Sequence, residues 1–193
     1  MERKVELIFG KRGSGKSFLA KKLVEKTPRL LIFDTIGEYD NGVVCDSPES
    51  LANFWQPYQN KNFRIIYRPL KPQDEIEVIA GLVWSCGEMT LLIEEVDCFC
   101  GPQTISDNLA MLIQRGRHKN IELIGVTQRP FGIHRLLTSQ AKEIYIFNSN
   151  EPRDREYLRS LLGSDIDGKL DALKQYEYVK WTDGGQDLVI GKA

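Results

Sequence analysis

Short apolar runs alternate with amphipathic segments along the chain, and the two kinds of segment differ in periodicity. Branched and aromatic residues dominate the runs, which predicts buried strands at residues 4–9, 29–34, 63–69, 89–95, 121–128 and 142–149. A helical spacing of apolar residues occurs at 15–26, 47–58, 72–86, 104–117, 152–163 and 166–174. Two further runs, 176–181 and 187–192, predict edge strands. Strands separated by crossover helices predict a three-layer α/β fold, with a mostly parallel sheet covered on both faces.

Length and charge limit the classes of protein that fit this pattern. The 193 residues suit one compact domain, and we expect a single domain over residues 1–193. A formal net charge of −1 gives no global attraction to nucleic acid, so any contact with DNA needs a local patch or an oligomer. The spacing of the four cysteines fits neither a redox pair nor paired zinc ligands, which indicates reduced thiols. No stretch approaches the roughly 20 apolar residues of a membrane-spanning helix, so we predict a soluble, cytoplasmic protein without membrane insertion.

A glycine-rich segment follows the first predicted strand and has the spacing G-x-x-x-x-G-K-[ST]. Because it lies between a strand and a helix, its backbone N–H groups and the helix N-terminus converge on one point, where they would hold phosphate. Lys16 would reach the β- and γ-phosphates, and the Ser17 hydroxyl would bind Mg²⁺. The predicted nucleotide-binding residues are Gly10, Lys11, Arg12, Gly13, Ser14, Gly15, Lys16, Ser17 and Phe18. An N-K-x-D base-reading motif is missing from the sequence, which favours ATP over GTP as the cofactor.

Two adjacent carboxylates, Glu94 and Glu95, end the predicted strand at 89–95. In a parallel sheet this end of the strand faces the ligand crevice. Neighbouring residues of a strand point to opposite faces, so we assign Glu94 to the Mg²⁺ shell and Glu95 to activation of the attacking water. Glu94 and Asp97 are the alternative residues for that second role.

A third candidate group surrounds the predicted strand at 121–128. Gln128 ends that strand, where its amide would contact the γ-phosphate or the attacking water. Arg115 and Arg117 lie at the end of the preceding helix, and one of them would act as an arginine finger on the ATP of a neighbouring subunit. The helix dipole offers a simpler reason for basic residues at this position, and the sequence does not decide between the two arginines.

Taken together, four segments resemble the FtsK/HerA superfamily of P-loop motor ATPases. They are GKRGSGKS, LLIFDTIGEY, LLIEEVD and RGRHKNIELIGVTQRP, and the resemblance covers about residues 5–146. It implies the additional-strand class of P-loop NTPase fold, with one more strand between the phosphate-loop strand and the carboxylate strand. It also implies a homo-oligomeric ring, hexameric or pentameric, that uses ATP to move DNA. Glu94 departs from the family pattern, in which an aspartate usually holds the metal.

Because the chain is little longer than the motor core of the superfamily, its size favours, by analogy, the genome-packaging ATPases of tailless viruses. Such a protein would push double-stranded DNA into a capsid and would dock on a capsid or portal-like protein in the host cytoplasm. Two alternatives remain open. The segment RGRHKNIELIGVTQRPFGIHRLL is also similar to the zonula-occludens-toxin-like assembly ATPases of filamentous phages. A small nucleotide kinase also fits the length, with an acceptor site built from the arginines of residues 152–159.

Overall fold

The computed structural model describes residues 4–58, 60–185 and 188–193, and its elements alternate as the apolar pattern predicts. The strands are β1 (Val5–Phe9), β2 (Arg29–Phe33), β3 (Val43–Cys45), β4 (Phe63–Tyr67), β5 (Met89–Ile93), β6 (Ile121–Thr127), β7 (Ala141–Phe147), β8 (Glu177–Thr182) and β9 (Val189–Lys192). The helices are α1 (Lys16–Leu23), α2 (Pro48–Tyr58), α3 (Pro72–Cys86), α4 (Asp107–Arg115), α5 (Arg135–Gln140), α6 (Pro152–Leu162) and α7 (Asp165–Ala172). No helix in these ranges has the length and apolar character required to cross a membrane.

The strands join in one sheet with the order β3-β4-β2-β5-β6-β1-β7-β8-β9. Pairing is parallel from β3 through β7, whereas β8 and β9 pair antiparallel. The crossover helices explain the parallel part, because parallel neighbours cannot be joined by a tight turn. The predicted fold class is therefore confirmed. Strand β6 lies between β1 and β5, so the additional strand that the resemblance implied is present.

Two apolar clusters cover the two faces of the sheet. The smaller cluster packs α1 on the sheet through Leu19, Ala20 and Val24. The larger cluster contains buried side chains of the other helices, α2 to α7. Because successive side chains of a strand alternate between faces, Leu7 belongs to the larger cluster and Ile8 to the smaller one. Burial on both faces explains why the strands appear in the sequence as continuous apolar runs.

Several boundaries differ from the sequence-based expectation. The pattern did not predict β3 or α5, because β3 has only three residues, two of them exposed, and α5 has only six. Strand β5 ends at Ile93, so Glu94 and Glu95 follow the strand instead of ending it. The predicted last strand begins at Asp187, which lies outside the described residues, and β9 begins at Val189.

Candidate active site

The glycine-rich loop joins β1 to α1 at the carboxyl edge of the parallel strands. Gly15, directly before α1, has φ 108°, a conformation that favours glycine. At Gly10 the constraint is space, because a Cβ atom there would lie 2.6 Å from the Cβ of Phe147. Helix α1 begins at Lys16, so the N–H groups of its first turn lack partners within the helix and are available to an anion. The loop thus has the backbone geometry that phosphate binding requires.

A cleft of about 630 Å³ opens beside this loop and brings five separate segments of the chain together. Predicted site residues that line it are Arg12, Gly13, Gly15, Lys16, Ser17, Phe18, Glu94, Glu95 and Gln128. Three other predicted loop residues, Gly10, Lys11 and Ser14, do not line the cleft but belong to the loop's own framework. The Lys11 carbonyl accepts a hydrogen bond, and Gly10 N–H donates to the Thr127 carbonyl at 3.3 Å. The structure therefore brings the phosphate loop, both carboxylates and Gln128 to one place.

The Lys16 side chain lies buried at the base of the cleft. Its Nζ donates a hydrogen bond to the Lys11 carbonyl at 3.1 Å. Burial lowers the pKa of Lys16, while the negative charges of Glu95 and Glu94 act in the opposite direction. An ammonium group held between a glycine-rich loop and two carboxylates is placed to pair with incoming phosphate oxygens.

Glu94 is almost completely buried, with 1% of its surface exposed. Its Oε1 accepts a hydrogen bond of 2.6 Å from the Tyr39 hydroxyl. Burial raises the pKa of Glu94 to about 7, and the hydrogen bond from Tyr39 partly opposes this rise. Glu94 and the half-buried Ser17 hydroxyl both line the cleft, and oxygen atoms of this kind are the ligands that Mg²⁺ prefers.

Tyr39 is held by a turn that follows β2. The Asp34 carboxylate accepts hydrogen bonds from the backbone N–H groups of Gly37, Glu38 and Tyr39 at 2.9, 3.1 and 3.2 Å. Arg68 adds a donor to the Tyr39 carbonyl at 2.7 Å. In the sequence, the segment LLIFDTIGEY contributes only to the FtsK/HerA resemblance. An aspartate three residues before a glycine after a strand predicts such a turn, but it does not predict the contact between Tyr39 and Glu94.

Glu95 points to a different partner. Its backbone is left-handed, with φ 48° and ψ 47°, an uncommon and costly conformation for a glutamate. Gln128 Nε2 donates to Glu95 Oε1 at 2.7 Å, so the ends of β5 and β6 are linked by side chains. The alternative residue, Asp97, accepts a hydrogen bond from the Thr127 hydroxyl instead. The two adjacent glutamates therefore lie in different environments.

Within the described residues, the carboxylates of Glu95 and Asp97 and the thiol of Cys98 lie within 4.8 Å of one another. A thiol is a poor ligand for Mg²⁺, and the two carboxylates already accept hydrogen bonds from Gln128 and Thr127. This group fits the predicted magnesium ion less well than Ser17 and Glu94 do.

The two candidate finger residues lie at the opposite edge of the sheet. Arg115 ends α4 and Arg117 lies in the short 3₁₀ helix that leads into the start of β6, and both are exposed. The length of β6, about 20 Å for seven residues, separates them from the cleft. Neither arginine can serve the cleft of its own chain.

The arginines of the kinase alternative are engaged elsewhere. Arg155 pairs with Asp171 at 2.8 Å and also contacts Asp167. Arg159 pairs with Asp167 at 2.6 Å, so both side chains tie α6 to α7. Together with Arg153 they are absent from the described lining of the cleft. A phosphoryl acceptor site at this position has no support from the geometry.

Comparisons with known proteins agree with this geometry. A family model described as helicase HerA, central domain, matches residues 6–83. The chain is 26% identical over 206 residues to the DNA packaging ATPase P9 of Enterobacteria phage PRD1, covering 98% of this chain and 86% of that protein. The predicted resemblance to the FtsK/HerA superfamily is confirmed. The HerA match includes the phosphate loop and the turn at Tyr39 and ends before Glu94.

Solved structures share this fold over nearly the whole chain. The genome packaging NTPase B204 from Sulfolobus turreted icosahedral virus 2, in complex with AMP, superposes with a TM-score of 0.82 at 19% identity. That match covers 100% of this chain and 98% of the B204 chain. The N-terminal domain of zonular occludens toxin from Neisseria meningitidis gives a TM-score of 0.59 at 12% identity, covering 100% of this chain and 94% of that domain. Identities this low show a common fold.

Burial of Glu94 predicts a pH-dependent cost in stability. The folded protein holds this proton more tightly than the unfolded chain, whose carboxyl has the ordinary pKa of 4.5. The stability gained by burying the neutral acid is full below that value and is lost as the pH rises through about 7. Glu94→Gln, which stays neutral, should therefore be more stable than wild type at pH 8, by up to about 3 kcal/mol.

Urea unfolding with a chelator and without nucleotide measures this difference. Most of it should disappear by about pH 5, where the buried carboxyl of the wild type is protonated. Glu95→Gln is the matched control, because it makes the same substitution at the adjacent, less buried position. A Glu94→Gln protein with wild-type stability at both pH values would contradict the assigned environment of Glu94.

Proposed function

We propose that this chain hydrolyses ATP with Mg²⁺ and uses the energy to package double-stranded DNA into a viral capsid. The observation that carries the proposal is the meeting of Lys16, Glu94, Glu95 and Gln128 beside a glycine-rich phosphate loop in one cleft. The proposal that the chain packages DNA rests on similarity to the packaging ATPase P9 over 98% of the chain. We place this activity in the host cytoplasm, on assembling virions, with a capsid or portal-like protein as docking partner.

Each side chain of the cleft has a distinct role in the proposed reaction. The loop N–H groups and Lys16 bind the β- and γ-phosphates and offset the charge that develops in the transition state. Ser17 and Glu94 would hold Mg²⁺, whose positive charge neutralises phosphate oxygens when bound. Glu95 accepts the proton of the water whose oxygen attacks the γ-phosphorus, and ADP leaves with the bridging oxygen. Gln128, which donates a hydrogen bond to Glu95, orients that carboxylate and the water.

An arginine finger acting between subunits would complete the site in a homo-oligomeric ring. The position of Arg115 and Arg117 at the far edge of the sheet supports action on a neighbour, because neither reaches its own cleft.

We expect Arg115→Ala or Arg117→Ala, whichever removes the finger, to be inactive alone. Mixing that variant with Lys16→Ala should restore part of the activity, because some interfaces then combine an intact loop with an intact arginine. The absence of recovery at every mixing ratio would argue against a shared site.

Translocation itself can be measured by displacement of a third strand from a DNA triplex. A motor that moves along the duplex should release the third strand only with ATP and Mg²⁺. Glu95→Gln serves as the control, because we expect it to bind ATP without turning it over. Release that does not need ATP, or ATP hydrolysis without any release, would oppose the packaging function.

The filamentous-phage export alternative shares the fold with a lower TM-score than the packaging NTPase, 0.59 against 0.82. An export ATPase would act on single-stranded DNA. ATP hydrolysis measured with each kind of DNA separates the two, since a rate stimulated by single-stranded but not by double-stranded DNA would favour export.

A further inference from the structure

Two exposed aromatic rings line the cleft, and they lie on opposite sides of the phosphate loop. Phe18, on α1, also borders a neighbouring cavity with Tyr39 and Asp40, on the side of the carboxylates. Tyr176 directly precedes β8 and lies beyond β7, on the other side. We infer that the base of the bound nucleotide stacks on Tyr176. The inference rests on the proposed ATPase function and identifies the residue that recognises the nucleoside.

The strand order fixes the direction in which a nucleotide must lie. The loop follows β1, and Gln128, Glu94 and Glu95 follow β6 and β5 on one side of it. A triphosphate whose γ end meets these residues must direct its ribose and base toward β7 and β8. Tyr176 stands at that end of the loop, since a Cβ atom built on Gly15 would lie 3.3 Å from its Cδ1. The ring therefore borders the loop where the nucleoside would emerge.

Tyr176 lies in a tight turn before β8, in which the Glu177 N–H donates to the Lys174 carbonyl at 3.1 Å. Its φ of 65° is left-handed, which is unusual for a bulky residue and costs free energy. The Ala193 N–H donates to the Tyr176 carbonyl at 3.0 Å and holds this backbone in place. Nevertheless 47% of the residue is exposed. Its neighbour Tyr178 packs edge-on against Phe147, so the sheet already has an aromatic contact here without Tyr176.

An exposed ring beside a phosphate site recognises the flat face of a base. Stacking of this kind is tolerant of base identity, because every base has a π face. Tyr176 should therefore distinguish a nucleotide from a bare triphosphate more strongly than it distinguishes ATP from another purine nucleotide.

The test compares binding of ATP with binding of inorganic tripolyphosphate, each with Mg²⁺. Tyr176→Asn removes the ring while keeping a side chain that tolerates the left-handed backbone. We expect it to weaken ATP binding about tenfold and to leave tripolyphosphate binding unchanged. Tyr176→Phe should bind ATP as wild type does. Phe131→Ala, which removes an exposed ring outside the described cleft lining, is the control.

Three results would overturn the inference. The first is an unchanged ATP affinity in Tyr176→Asn. The second is an equal loss of affinity for ATP and for tripolyphosphate in that variant, as expected for a merely structural residue. The third is a loss of the preference for ATP in Phe18→Ala instead. If the wild type bound neither ligand, the proposed ATPase function itself would be contradicted. That outcome differs from each of the three results above, so failure of the ATPase proposal and failure of the Tyr176 inference are distinguishable. Thermal unfolding of each variant checks that the fold is intact.

Discussion

Lys16→Ala is expected to lower ATP turnover by about 100-fold or more, the scale seen when a preorganised charge donor is removed from an active site. Its ammonium is buried beside the loop and lies close enough to Glu94 and Glu95 for both to affect its pKa. Without it, the buried Glu94 and the half-buried Glu95 face the triphosphate without the lysine charge that offsets them. We therefore expect weaker ATP binding as well as slower turnover.

Turnover and the dissociation constant for ATP measure these two effects. Lys22→Ala is the matched control, since Lys22 lies on the same helix and borders the neighbouring cavity instead of the cleft. It should retain wild-type turnover. Hydrolysis at the wild-type rate by Lys16→Ala would remove the proposed phosphate role of this lysine.

Glu95→Gln should bind ATP normally and hydrolyse it about 10²- to 10⁴-fold more slowly, the contribution typical of a general base. The substitution is close to isosteric. The new amide oxygen can still accept the hydrogen bond from Gln128 Nε2, which joins the two side chains at 2.7 Å in the wild type. The loss would therefore reflect the missing proton acceptor and not a displaced Gln128 side chain.

The adjacent Glu94→Gln variant separates the two carboxylates. Glu94→Gln should hydrolyse ATP more slowly than wild type, because the neutral amide weakens the metal shell without removing the base. This defect should shrink as the Mg²⁺ concentration rises. The defect of Glu95→Gln should not depend on Mg²⁺. Normal turnover by Glu95→Gln would transfer the role of base to Glu94 or Asp97.

The parts of the site that are close in sequence or fixed by strand order could be predicted. The phosphate loop is one contiguous segment with a defined spacing. The two glutamates and Gln128 follow neighbouring parallel strands, and such strands end at the same edge of a sheet. Helix α4 runs into the start of β6, so the exposed arginines lie at the opposite edge.

Contacts that depend on side-chain direction could not be predicted. Tyr39 reaches Glu94 across 55 residues because the turn at Asp34 folds it back toward the sheet. Tyr176 reaches the loop because β8 pairs antiparallel with β7, and apolar periodicity does not specify that pairing. Strand β3 was missed for another reason, since three residues at an exposed edge carry too little pattern.

ATP hydrolysis per subunit, measured over a range of protein concentrations with and without double-stranded DNA, tests the motor function most directly. Active sites shared between subunits should make the rate per subunit rise with protein concentration, and double-stranded DNA should raise it further. A rate that is independent of concentration and indifferent to DNA would contradict a DNA motor built from shared sites and would favour a monomeric phosphotransferase.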